Sequence, residues 1–124
     1  GATTLIAAPQ RPLVSVDGGS GWMASAGSGD VLAGILGTVL AGAAARWEQS
    51  APHVSGADPV LDALVDSVAA GVRLHALAGA YAAASPQGAG GAGTGGHPIA
   101  ALDIAAALGS ARLELNWLQA VPHA

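Results

Sequence analysis

The sequence predicts an α/β fold in which a short strand pair leads into long helices, and three observations carry that prediction. Thr3-Thr4-Leu5-Ile6-Ala7-Ala8 and Leu13-Val14-Ser15-Val16 are short runs of strand formers separated by Pro9-Gln10-Arg11-Pro12. Asp17 to Gly29 carries five glycines and few large apolar residues, so it reads as a loop over the sheet edge. Beyond it, three segments repeat small and aliphatic residues over lengths that only helices reach.

Residues 3 to 8 read as a buried strand, because the run is apolar and rich in β-branched residues. The sequence thus starts inside a sheet, and the expectation is one piece of a larger domain whose N-terminal half supplies more strands. Proline at both ends of residues 9 to 12 blocks regular pairing there, which makes a turn and joins the two strands into a hairpin. Val31 to Trp47 is apolar at nearly every position and includes Gly34, Gly37 and Gly42, as in a core helix covered on most sides. Residues 49 to 57 form a polar connection. Asp58-Pro59 then supplies a cap and a first-turn proline for a helix through Ala84, with Leu61, Leu64, Val65, Val68, Val72, His75 and Gly79 on or beside one face.

Asp62 and Asp66 lie off that face and read as a solvated pair of like charge. Six glycines in Ser85 to Gly96 mark a flexible loop. Pro98 to Leu115 reads as the last helix, with Ile99, Leu102, Ala106, Leu108 and Leu115 making apolar contacts and Asp103 near its first turn; residues 116 to 124 read as a tail.

Composition narrows the function. The four cations are the single arginines Arg11, Arg46, Arg73 and Arg112, and the net charge of −4 argues against a nucleic-acid partner. No uncharged apolar run reaches the ~18 residues of a membrane span, and no signal peptide is visible, so a cytoplasmic protein without a membrane partner is expected. The chain has no cysteine, and His53, His97 and His123 show no ligand spacing, so no protein-bound metal is expected.

Ala24-Ser25-Ala26-Gly27-Ser28-Gly29-Asp30-Val31-Leu32-Ala33-Gly34 carries the chemistry. Glycines let backbone approach a ligand, and the first N–H groups of a helix are free donors backed by the positive end of its dipole, so a phosphate can be held there without lysine. Asp30 stands where a base for phosphoryl transfer is needed, and equally where a plain first-turn acid is favoured. On spacing alone the two readings are level. His75, among Leu74, Leu77 and Ala78, reads as a buried, hydrogen-bonded histidine. Trp22 in the glycine loop serves equally to stack on a ligand base or to anchor the loop.

In its order of strand, turn, strand, glycine loop, Gly-Ser-Gly-Asp and helix, the sequence resembles the ribokinase-like family, and more narrowly the ADP-dependent NAD(P)H-hydrate dehydratases. Residues 1 to 9, 23 to 35 and 74 to 79 carry the resemblance, with Gly19-Ser20-Gly21-Trp22-Met23 where the family commonly has Gly-Asn-Pro-Gly-Met. The family's lysine before Gly1 has no counterpart in the sequence. Ala76 and Ala80 stand where a glycine and an acid are common.

The resemblance implies the C-terminal portion of a ribokinase-like three-layer α/β/α domain spanning residues 1 to 124. It implies Asp30 as catalytic base and substrate contact, and Gly27, Ser28 and Gly29 as an anion hole. It also implies Gly1, Ala2, Thr3 and Thr4 as part of the nucleotide loop, ADP or ATP as co-substrate, Mg²⁺ as cofactor, and a homo-oligomer. The implied reaction moves a phosphoryl group onto the hydroxyl of a hydrated nicotinamide ring; phosphate then leaves to regenerate NADH or NADPH. A chain lacking the N-terminal half of that domain is expected to be inactive alone. The alternatives are a ribokinase-like kinase for a vitamin precursor or sugar, and a non-catalytic helical assembly module.

Overall fold

Two strands form near the runs that the sequence marks, but the first covers only residues 3–6 and is not the buried strand expected, with Leu5 63% exposed. In the computed structural model, which describes residues 2–50, 58–84 and 96–120, β1 (Thr3–Ile6) pairs antiparallel with β2 (Val14–Asp17), Thr4 opposite Val16 and Ile6 opposite Val14. Pro9 presets the turn between them and Gln10 takes a φ of 57°. The Arg11 amide closes it by donating to the Ala8 carbonyl over 3.2 Å. Proline followed by a left-handed residue is the pattern of a type II turn. At the open end of the hairpin, the Ala2 carbonyl accepts from the amides of Gly18 and Gly19.

The glycine loop holds one 3₁₀ turn, Gly21–Met23, capped by Ser20, whose hydroxyl accepts from the Trp22 amide at 3.2 Å. Three helices follow: α1 (Ser28–Ser50), α2 (Asp58–Ala84) and α3 (Ala101–Ala120). α2 is the spine, packing against α1, α3, both strands and the 3₁₀ turn. Gly71 lets α1 come close: a Cβ there would meet Leu36 Cδ2 at 3.0 Å and Val39 Cγ2 at 3.3 Å. Met23, Ala78, Ala82, Ile99, Ile104 and Ala111 form the main core, where small side chains allow close helix approach. Asp103 caps α3, its Oδ2 accepting from the Ala100 amide at 2.8 Å while its own amide donates to the Ala100 carbonyl.

This architecture overturns the ribokinase-like three-layer α/β/α expectation. Among the described residues there is one two-stranded antiparallel sheet, and the helices pack on one another instead of covering both faces of a central sheet. The cause is local. A tight proline turn joins the strands and so forces antiparallel pairing, whereas a parallel layer needs helical crossovers between successive strands. After Asp17 every described regular segment is helical.

The helices also depart from their expected faces. Among the described residues of α1 only Ile35 and Ala43 are buried, because α2 covers one side and α3 touches it lightly. By length and composition, Ser28–Gln49 is apolar enough to cross a membrane, which an uncharged-run criterion misses because Asp30 and Arg46 interrupt it. In the last helical segment Ile99 is buried and Leu108 packs against the core, but Leu102 is 81% exposed and Ala106 is exposed, while Ile104 and Ala111 are wholly buried. Apolar residues all round that helix leave its periodicity unable to select the inner face. α3 also runs to Ala120, past the expected end. Asp62 is not merely solvated: it accepts from Arg11 Nε at 2.5 Å, tying the hairpin turn to α2. The readings on residues 51–57, 85–95 and 121–124 lie outside the described residues.

Candidate functional site

The glycine loop is seated by two contacts on its apolar residues. Met23 lies across Gly79 of α2, so closely that a Cβ there would fall 2.4 Å from the Met23 sulfur. Trp22 covers Gly96, whose φ of 144° admits little but glycine and whose Cβ position is 2.5 Å from the indole Nε1. Trp22 thus anchors the loop, with 40% of its surface still exposed. The loop then turns at Gly27, which has φ 84° and would bring a Cβ within 3.1 Å of Ala101 Cβ. Only glycine meets both demands, so the sharp entry into α1 is written into the sequence.

At that entry the backbone groups divide. The Ser28 amide donates to the Ser25 carbonyl at 3.2 Å, and the Asp30 and Val31 amides both donate to the Gly27 carbonyl at 3.1 Å. The Gly29 amide has no acceptor among the described residues, and an added Cβ at Gly29 meets nothing within 4 Å. One open donor at the positive end of a long helix remains, flanked by backbone that a ligand can reach closely.

Beside it lies a cavity of about 220 Å³ that brings Ala2 and Thr4 of the hairpin together with Ser28 and Gly29 of α1 and His75 of α2. Four of the expected binding residues therefore share one wall. Sites that enclose a whole drug-sized ligand run to roughly 300–1,000 Å³, so this cavity has room for only part of such a ligand. Thr3, Gly27 and Asp30 do not line it. The Thr3 hydroxyl is committed to Asp17 at 2.7 Å, and Gly27 shapes the turn. Asp30 sits exposed in the first turn of α1, one residue beyond the open amide. Gly1 lies outside the described residues.

His75 is 8% exposed, as a buried histidine should be. Its Nε2 lies 3.0 Å from the Ser28 carbonyl oxygen. A carbonyl only accepts, so Nε2 carries the proton. Burial pushes the His75 pKa below its ordinary value, partly offset by that hydrogen bond, so the ring is neutral at pH 7. Sequence reasoning flagged His75 but missed its attachment, which joins residues 47 positions apart and leaves no periodic trace. Val16 and Gly19, which also line the cavity, were likewise unmarked.

Other hollows have different character. A 330 Å³ groove at the far end of α1 and α2 is lined mostly by apolar residues such as Ala43, Trp47, Val60 and Leu64. A 280 Å³ hollow beyond Ala76 is bordered by Asp17, Arg73 and Glu114. Among the described residues no three acidic or imidazole side chains converge into a metal cage. The donor set fits Mg²⁺ only as an ion carried on nucleotide phosphates, since Mg²⁺ is commonly held by one or two carboxylates plus substrate oxygens.

A family model described as NAD(P)H-hydrate dehydratase matches residues 1–92, which include the hairpin, the glycine loop, α1 and α2. No curated protein and no solved structure matches the chain.

Proposed function

Because the chain belongs to the NAD(P)H-hydrate dehydratase family, we propose that it is the nucleotide-binding part of an ADP-dependent (S)-NAD(P)H-hydrate dehydratase, a carbon–oxygen lyase. The observation that supports this most is the shared cavity of Ala2, Thr4, Ser28 and Gly29 beside the open Gly29 amide. The amide and the helix dipole favour phosphoryl oxygens at the mouth of α1. Asp30, the next residue, takes the proton of the substrate hydroxyl as its oxygen forms a bond to the terminal phosphorus of ADP. The bond from that phosphorus to the bridging oxygen breaks and AMP leaves. The phosphate ester then eliminates: the ring nitrogen's electron pair expels phosphate as the carbon–oxygen bond breaks. The neighbouring ring carbon gives up a proton to the departing phosphate, which leaves the carbon–carbon double bond of the neutral dihydronicotinamide. An Mg²⁺ ion held on the nucleotide phosphates would neutralise part of their charge during the transfer.

Supplying hydrated NADH with ADP or ATP to the full-length native protein tests the reading. Return of NADH absorbance with release of AMP and phosphate is expected with ADP. ATP turnover that leaves a phosphorylated alcohol intact would instead establish a ribokinase-like kinase, which the same cradle and Asp30 serve equally well. The apolar composition of α1, whose larger aliphatic side chains are mostly half-buried, favours a third reading, a non-catalytic assembly module. That reading requires no turnover with either nucleotide.

A further inference from the structure

We propose that His75 is a positioning residue for the phosphate cradle: from α2 it holds the Ser28–Gly29 peptide so that the Gly29 N–H stays turned outward. The inference rests on the nucleotide reading above and adds to it a residue that acts through another. Its basis is the planarity of the peptide unit, in which the Ser28 carbonyl and the Gly29 N–H are fixed in opposite directions. Whatever grips the carbonyl therefore aims the amide.

His75 Nε2 grips it at 3.0 Å from a buried position, and the imidazole shares the cavity with Ser28 and Gly29. The cradle needs such a hold. Gly29 has no side chain and nothing within 4 Å of its Cβ position, so in the first turn of α1 no side-chain packing of its own helps to hold its peptide. The hydrogen bond also polarises the peptide, which strengthens its N–H as a donor to an anion. Donation persists whether the ring is neutral or charged, because Nε2 carries a proton in both forms.

The experiment compares the full-length native protein with His75→Leu and His75→Gln in steady-state turnover of hydrated NADH with ADP. Loss of one neutral hydrogen bond is expected to raise the KM for ADP about fivefold in His75→Leu. The KM for the hydrated dinucleotide should stay unchanged. Glutamine, which keeps an N–H of similar reach, should return the ADP value to within about twofold.

Equal KM values for ADP in all three proteins would overturn the proposal, as would parallel losses in both KM values that glutamine does not repair. Should His75→Leu fail to fold, ¹⁵N spectra of the native protein decide instead. A protonated Nε2 and a Gly29 amide resonance that moves on adding ADP support the brace; an unprotonated Nε2, or an unmoved Gly29 amide while ADP binds, removes it. Failure of the native protein to bind ADP at all would remove the nucleotide reading itself, which is a different result from normal binding indifferent to His75.

Discussion

Replacing Gly79 with alanine tests whether the glycine loop is seated on α2 as described. Glycine to alanine in a helix interior normally stabilises by about 0.5–1 kcal/mol. Gly37 of α1, where an added Cβ meets nothing within 4 Å, should show that gain in full. At Gly79 the same methyl falls 2.4 Å from Met23 Sδ, 2.6 Å from Cγ and 2.8 Å from Cε. Rotating the tip of Met23 does not relieve the Cγ contact near its root, so the side chain must leave its seat or the 3₁₀ turn must lift. Overpacking of this kind costs about 1–3 kcal/mol.

Gly79→Ala should therefore be less stable than Gly37→Ala by about 1–3 kcal/mol in urea unfolding, the overpacking term alone. Because Met23 also lines the cavity, the KM for ADP should rise in Gly79→Ala and stay unchanged in Gly37→Ala. Adding Met23→Ala to Gly79→Ala should show favourable coupling, since the two residues share one space. Equal stabilisation by both alanines, with no change in ADP affinity, would refute the seating.

Gly27→Ala meets both a left-handed φ and the Ala101 methyl, so it should lose about 1–2 kcal/mol from the backbone alone and weaken ADP binding, measured by unfolding and titration. Burial lowers the His75 pKa in the folded state, so below about pH 6.5 the unfolded chain takes up the proton more readily. Its contribution should be complete above that pH and lost as the pH falls through the depressed folded value, visible as a falling Tm absent from His75→Gln. Arg11→Ala breaks the bond to Asp62, which is 60% exposed, so a screened loss of no more than about 1 kcal/mol in urea unfolding is expected.

How far the sequence could be read depended on whether a feature was local. The proline turn, the hairpin it closes and the start of α2 at Asp58-Pro59 follow from neighbouring residues, and all three are present. The entry to α1, read at Val31, lies three residues earlier at Ser28, where the φ of 84° at Gly27 turns the chain. Layering was not local. Two strand-forming runs and an ordered motif suggested a sandwich, yet an antiparallel pair beside three stacked helices lacks the crossovers that a parallel sheet requires.

Helix faces failed where composition was uniform. α3 buries Ile104 and exposes Leu102 two residues away, a choice made by α2 and not by periodicity. Ser28 and Gly29, named from the motif, and Ala2 and Thr4, named from the family resemblance, line one cavity. The bond from His75 to Ser28 was not legible, because it depends on how α2 meets the mouth of α1.

In the proposed reaction the mouth of α1 holds phosphoryl oxygens while Asp30 takes a proton from an alcohol. Asp30→Asn in the full-length native protein tests it most directly, with ADP affinity and turnover of hydrated NADH measured side by side. Asparagine keeps the shape and removes the base, so turnover should fall by about 10²–10⁴-fold with ADP affinity within about threefold of the native value, since the cradle is backbone. Undiminished turnover by the asparagine variant would contradict the account.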